Sequence, residues 1–240
     1  MPPTTSEPQF TSELRVELID SMGTDMSIAH AAWVSTKGEQ ARAQDTEHVA
    51  GLINYLMAHH HGTPYEHSAL TFFVDAPIFV FREWHRHRIG FSYNEVSGRY
   101  SQLPPKFYVP GLSRPLVNAG SSARPKLVPG DEHQHALVGK SIEETARLAY
   151  ERYEAMLEAG VAKEVARMVL PVNTFSAMYV TCNARSLMAF LSLRTHSDDA
   201  KFVSYPMWEI EACAKKMEDV FAERFPLTHA AFEKNGRVSP

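Results

Sequence analysis

Apolar residues along this chain recur at two spacings, and each change of spacing marks an element. Over residues 14–20 they alternate with charged ones, Leu14, Val16 and Leu18 against Arg15 and Glu17, which is the period of a half-buried strand. Asp25 then offers a cap for a helix carrying Met26, Ile28, Ala29, Ala32 and Trp33 and ending near Ser35. From about Thr46 to His59, Val49, Leu52, Ile53, Leu56 and Met57 lie at helical spacing on one stripe. Residues 68–75 are aromatic and β-branched and read as a strand. Asp75 and Pro77 next signal a helix start, with Ile78, Phe81, Trp84 and His85 on one side and Arg82 and Arg86 one turn apart on another. A loop over 90–100 and a short strand at 106–109 follow. Residues 110–131 hold four prolines and three glycines, the pattern of an irregular segment that is either a mobile lid or disordered. Ser141 and Glu144 form a capping box, so a long helix starts there at the latest and ends at Gly160. A shorter helix over 163–170 stops at Pro171, a strand covers 174–181, and Asn183 caps a helix over 184–194. A last helix covers about 205–225. Residues 1–11 read as a flexible start and 234–240 as a polar tail. Helices outnumber scattered strands, so the expected class is α+β, with a mixed or mainly antiparallel sheet packed with helices.

Composition narrows the function classes. The 240 residues suffice for a sizeable core, and 22% charged with 44% hydrophobic residues is an ordinary soluble balance. A net charge of -4 argues against a molecule that binds polyanions over its whole surface. Only Cys182 and Cys213 are present, so no disulfide framework or structural zinc set is indicated and a reducing, cytoplasmic setting is expected. The first residues lack the apolar stretch of a signal peptide, and no apolar run reaches membrane-spanning length. Neither GxGxxG nor GxxxxGK[ST] occurs.

The chemistry concentrates in residues 82–101, where four arginines, two histidines and two carboxylates crowd together. Such cations repel one another unless something negative lies among them. Phe81, Trp84, Phe91 and Tyr93 interleave with the charges, and Asn94, Ser97 and Gly98 follow at once. Arginine forks, hydroxyls and a close-approach glycine are the parts of a phosphate or nucleotide site. A nucleic-acid-binding module built on Arg82 to Arg99 is the alternative. The histidines at 59, 60, 61 and 67 invite a metal reading, but adjacent helical residues diverge and no HExxH follows, so no metal is expected.

Arg86-His87-Arg88, followed by Ser97 in the context Ser-Tyr-Asn-Glu-x-Ser-Gly-Arg-Tyr, resembles the signature of the flavin-dependent thymidylate synthases. His61-Gly62-Thr63-Pro64-Tyr65-Glu66-His67, residues 76–80, residues 164–167 with Leu170-Pro171, and residues 183–187 with Arg194 resemble further blocks of that family, in its order. The resemblance implies a single catalytic domain over residues 1–240 that methylates dUMP to dTMP. Methylenetetrahydrofolate would give the carbon, and FAD reduced by NADPH the hydride. It also implies a homotetramer with active sites at subunit interfaces and no catalytic cysteine. His61, Thr63, Arg86, His87, Arg88, Glu95, Asn183 and Arg185 match flavin-contacting positions. Glu83, Arg86, Glu95, Ser97, Gly98, Arg99, Arg167 and Arg194 match positions that hold dUMP. Among these Arg194 would stabilise charge on the pyrimidine, and Ser97 would position the substrate rather than attack it. The chain departs from the pattern at three points: eight residues instead of seven separate Arg88 from Ser97, Ala189 replaces an amide, and the turn after Arg194 is longer, with His196 in it.

Overall fold

In the computed structural model, which describes residues 7–43, 48–122 and 124–240, the elements follow the chain in this order. They are β1 (Gln9–Thr11), β2 (Arg15–Met22), α1 (Asp25–Lys37), α2 (Val49–Ala58), β3 (Ala69–Pro77), α3 (Ile78–Trp84), β4 (Phe91–Glu95) and β5 (Lys106–Tyr108). Then come β6 (Val117–Asn118), β7 (Leu127–Val128), α4 (Glu132–Glu158), α5 (Lys163–Ala166), β8 (Phe175–Cys182), α6 (Ala184–Arg194), α7 (Trp208–Arg224) and α8 (Pro226–Lys234). The class is α+β. The largest sheet has the order β2-β3-β8-β4, and both senses of pairing occur elsewhere: β1 with β5 is parallel, β6 with β7 antiparallel. The chain divides into two compact units.

Unit one comprises the described residues up to Leu14, Asp75–Trp84 and Glu95–Met178. Part of the expected flexible start is strand: Phe10 pairs with Phe107 across β1 and β5 and stacks on it at 5.9 Å. Residues 1–6 of that expected start lie outside the described residues. Phe107 then packs with Ala146, Tyr150, Tyr153 and Ala166 in a core built on α4. That helix starts nine positions before Ser141, because Asp131 and Gln134 form the capping box: the Gln134 amide donates to Asp131 Oδ1 at 2.7 Å, and the Asp131 amide to Gln134 Oε1 at 2.9 Å. The segment expected to be irregular therefore ends at its cap. Within it β6 and β7 form a short ladder, with Asn118 Oδ1 accepting from the amides of Gly120 and Lys126. Ala123, in the same segment, lies outside the described residues.

Unit two comprises Arg15–Val74, His85–Asn94 and Tyr179–Pro240. Ile28, Ile53, Met57, Phe72, Leu187, Met217, Phe221 and Phe232 are buried within it. α2 packs on α8, and α7 packs on α6 and β2. The start of α2 expected at Thr46 lies outside the described residues; the helix is seen from Val49. Asp25 does not cap its own helix, for which Thr24 is the cap residue. Its buried carboxylate caps α8 instead, accepting from the amides of Leu227 (2.9 Å) and Thr228 (3.0 Å) and from Thr228 Oγ1 (2.6 Å). The last helix expected, over about 205–225, is α7 with its start at Trp208, and α8, before the expected polar tail, was not foreseen. Phe225, with φ -133° and ψ 60°, separates α7 from α8. The tail packs: Arg237 is 8% exposed and held by Glu218, Glu233 and Thr195.

Candidate active site

Residues 85–94 in unit two show how the arginine-rich stretch is held. β4 is a strand where a loop was expected, and its alternation puts Phe91 and Tyr93 on one side, their rings stacked at 5.7 Å. Tyr93 donates its hydroxyl to the His87 carbonyl at 2.6 Å, and burial pushes its pKa well up. The His87 ring meets Phe190 of α6 edge-on at 4.8 Å. Arg194, at the end of α6, donates from Nε to His87 Nε2 at 3.0 Å, so that nitrogen presents its lone pair. His87 is thus turned inward and half-buried, while Arg86 and Arg88 on either side are exposed. Among the described residues neither arginine has a carboxylate partner. Gly90 turns the chain at φ +67°, close against Asn183 and Ser186.

A second corner of unit two gathers His61, Thr63 and Arg185. Arg185 donates from Nε to a main-chain oxygen of Pro240 at 2.7 Å and from Nη1 to Glu66 Oε1 at 2.6 Å, leaving Nη2 as its remaining donor group. Gly62 is what lets the guanidinium pass. A Cβ there would lie 2.5 Å from Arg185 Cζ and 2.8 Å from that Pro240 oxygen. Gly62→Ala is accordingly expected to cost about 1–3 kcal/mol by forcing the guanidinium away, read as a fall in thermal unfolding temperature. An unchanged temperature would show that Arg185 moves freely. Of the neighbouring histidines, His59 stacks on Tyr55 at 4.1 Å and His61 meets the same ring edge-on. Asn183 caps α6 through Oδ1, accepting from the Ser186 amide at 2.8 Å, which leaves its amide NH₂ as a donor. His196, in the longer turn, is tied to the Ser204 carbonyl at 2.8 Å and braces that turn.

Unit one holds a cavity of about 260 Å³, lined by Glu95, Gly98, Glu164, Arg167, Met168 and Ser176 among others. The Ser97 carbonyl accepts from the amides of Tyr100 and Ser101, and Ser97 Oγ from the Arg99 amide at 3.3 Å, which folds residues 97–101 into a tight turn. α5 grips that turn twice, with Arg99 Nε on Glu164 Oε2 at 2.9 Å and Lys163 Nζ on the Tyr100 carbonyl at 3.1 Å. A Cβ on Gly98 would sit 3.1 Å from Arg167 Cδ and 3.2 Å from Leu103 Cδ1, so glycine lets backbone and arginine close on each other. Leu103 is fixed in turn by α4: Tyr153 Oη accepts from its amide at 3.1 Å, and Tyr150 donates to its carbonyl at 3.2 Å.

Of the residues expected around dUMP, Glu95, Gly98 and Arg167 line this cavity, with Ser97 and Arg99 on either side of Gly98. Glu83 is on α3 of the same unit but does not line it; Arg86 and Arg194 belong to unit two. Sequence reasoning missed Lys163, Glu164 and Ser176. Glu164 lay in a block already singled out, but its partner Arg99 is 65 positions away.

Among the described residues, one group of histidine and carboxylate atoms is close enough to share an ion: Glu218, His229 and Glu233. Arg237 lies among them and pairs with both carboxylates.

An α+β chain with exposed, unneutralised arginines in one unit and a glycine-arginine cavity in the other is a nucleotide-handling enzyme in outline. Residues 17–227 match the family described as thymidylate synthase complementing protein. A flavin-dependent thymidylate synthase of Streptomyces coelicolor is 54% identical over 235 residues, covering 97% of this chain and 96% of that one. One of Tropheryma whipplei is 48% identical, with 98% of each chain covered. Among solved structures, the UMP/dUMP methylase PolB from Streptomyces cacaoi bound with 5-Br dUMP superposes with a TM-score of 0.92 at 46% identity, over 97% of this chain and all of that one. The chain belongs to the flavin-dependent thymidylate synthase family.

The donor set fits a flavin dinucleotide. A pyrophosphate asks for cations not already neutralised, which Arg86 and Arg88 are, and for further donors, which Arg185 Nη2 and the Asn183 amide provide.

Proposed function

We propose that this chain is a flavin-dependent thymidylate synthase, an enzyme that methylates dUMP to dTMP. One observation carries the reading: the family match spans 17–227 and so includes both the Arg-His-Arg loop and the cavity around Gly98 and Arg167. FAD, when bound and reduced by NADPH, supplies the hydride that turns the carbon transferred from methylenetetrahydrofolate into a methyl group. His61, Thr63, Arg86, His87, Arg88, Glu95, Asn183 and Arg185 hold the flavin. Arg86 and Arg88 face its charge, and His87 acts as the inward pin of that loop. Arg99 and Arg167 bind the dUMP phosphate, with Glu83, Glu95, Ser97 and Gly98 orienting the nucleotide. Ser97 positions rather than attacks, its Oγ accepting from the Arg99 amide within its own turn. Arg194, aligned by His87, stabilises negative charge on the pyrimidine.

Residues 1–240 act together as one catalytic domain, and four copies form the working assembly. Large exposed apolar side chains such as Ile89, Tyr100, Met168 and Phe202 support an assembly that covers them. No described helix is long and apolar enough to cross a membrane. Together with two unpaired, buried cysteines, this supports a cytoplasmic enzyme. The purified protein should be yellow and should oxidise NADPH faster when dUMP is added. A colourless protein that cannot take up FAD overturns the proposal, and salt-sensitive binding of duplex or single strands would favour the nucleic-acid alternative instead.

A further inference from the structure

Ser176 is the polar residue of the unit-one cavity that the reading above leaves without a task. It lies on β8, is 5% exposed, and its Oγ has no hydrogen-bond partner. A buried hydroxyl in that state is a net cost to the fold, and such groups in native proteins call for an explanation. The same residue lines the cavity. Of the residues that share that lining, Ile78, Leu103 and Leu170 have no side-chain donor or acceptor to offer, Glu164 is engaged with Arg99, and the polar Glu95 and Arg167 make no hydrogen bond to the Ser176 hydroxyl. A ligand filling the cavity would supply the missing partner.

We infer that Ser176 is a nucleotide-positioning residue, whose hydroxyl hydrogen-bonds an uncharged polar atom of the pyrimidine nucleoside part of dUMP. The phosphate has a better partner in the Arg167 guanidinium of the same cavity, and a neutral hydroxyl suits a sugar or base oxygen. The inference rests on the cavity being the nucleotide site. It has a signature that a structural serine lacks. Deleting the hydroxyl relieves the ligand-free protein of an unsatisfied group while weakening the liganded one, so stability and affinity move in opposite directions.

Ser176→Ala and Arg167→Ala, both loaded with FAD, are titrated with dUMP and with deoxyuridine, which lacks the phosphate, and are unfolded thermally without nucleotide. Ser176→Ala should unfold at or above the wild-type temperature and should raise Kd about three- to tenfold for both ligands, the loss of one neutral hydrogen bond. Arg167→Ala should weaken dUMP and leave deoxyuridine unchanged. If Arg167→Ala weakens dUMP but Ser176→Ala binds both ligands as wild type, the inference is overturned and the cavity assignment stands. If Arg167→Ala leaves dUMP affinity unchanged, the cavity assignment itself falls, and the inference with it.

Discussion

Arg194→Ala should abolish dTMP formation while the flavin stays bound. Arg185 and Arg194 are nine positions apart on α6, so at about 100° per residue they leave the helix on opposite sides. Arg185 accordingly meets Glu66 and Pro240, while Arg194 meets His87. The hydrogen bond to His87 Nε2 fixes the guanidinium plane, and His87 is itself fixed by Phe190. A cation oriented in advance is what stabilises charge as it develops, and removing one such group costs about a hundred- to a thousandfold in turnover. The flavin's proposed cations, Arg86 and Arg88, do not depend on Arg194 for their charge. Formation of dTMP from dUMP and methylenetetrahydrofolate, followed beside the flavin absorbance, tests this directly. Wild-type turnover in the variant would remove Arg194 from the chemistry.

Glu218→Ala should strongly destabilise the carboxy-terminal helices. Glu218 on α7 takes Arg237 with both oxygens, Nη1 on Oε1 at 2.7 Å and Nη2 on Oε2 at 3.0 Å, and accepts from His229 Nε2 at 3.1 Å. Removing one partner of a buried pair leaves the other charge stranded, at about 3–5 kcal/mol. Glu233 still faces Arg237, so the lower end is expected, a fall of roughly 6–12 °C in unfolding temperature for a chain of this size. Burial alone would raise the Glu218 pKa, but the hydrogen bonds from His229 and Arg237 outweigh it and hold it near 2. A depressed carboxylate stabilises the fold above its unfolded value and loses that contribution as pH falls through its folded one. The wild type should therefore lose this stability between about pH 4.5 and 2, and Glu218→Gln, which keeps the size, should lack that part of the acid limb. Identical acid profiles for the two would show that the carboxylate is not the group responsible.

How much of this was legible in the sequence depended on distance along the chain. α6 was read at its observed limits, because its cap Asn183 is adjacent and its stripe is local. β2, β3, β5 and β8 came within a residue or two for the same reason. The start of α4 was bounded at Ser141 but not located, because two capping boxes fit the pattern, and only packing chooses the longer helix. β4 was read as a loop because its partners lie elsewhere in the sequence, although Phe91 and Tyr93 carried the alternation. The contacts that make a site had no local signal. Arg194 finds His87 across 107 positions, and Arg237 finds Thr195 across 42. The polarity of the last residues is plain in the sequence but does not decide exposure, since a polar residue that finds its counter-ion is buried with it.

The two cysteines have a practical consequence. Burial pushes the Cys182 thiol far up and Cys213 up to about 12, so neither offers a thiolate to an electrophile near neutral pH. The native protein therefore comes with a silent thiol background. A single cysteine introduced on its surface would take a fluorophore or spin label selectively, with both natural ones left in place.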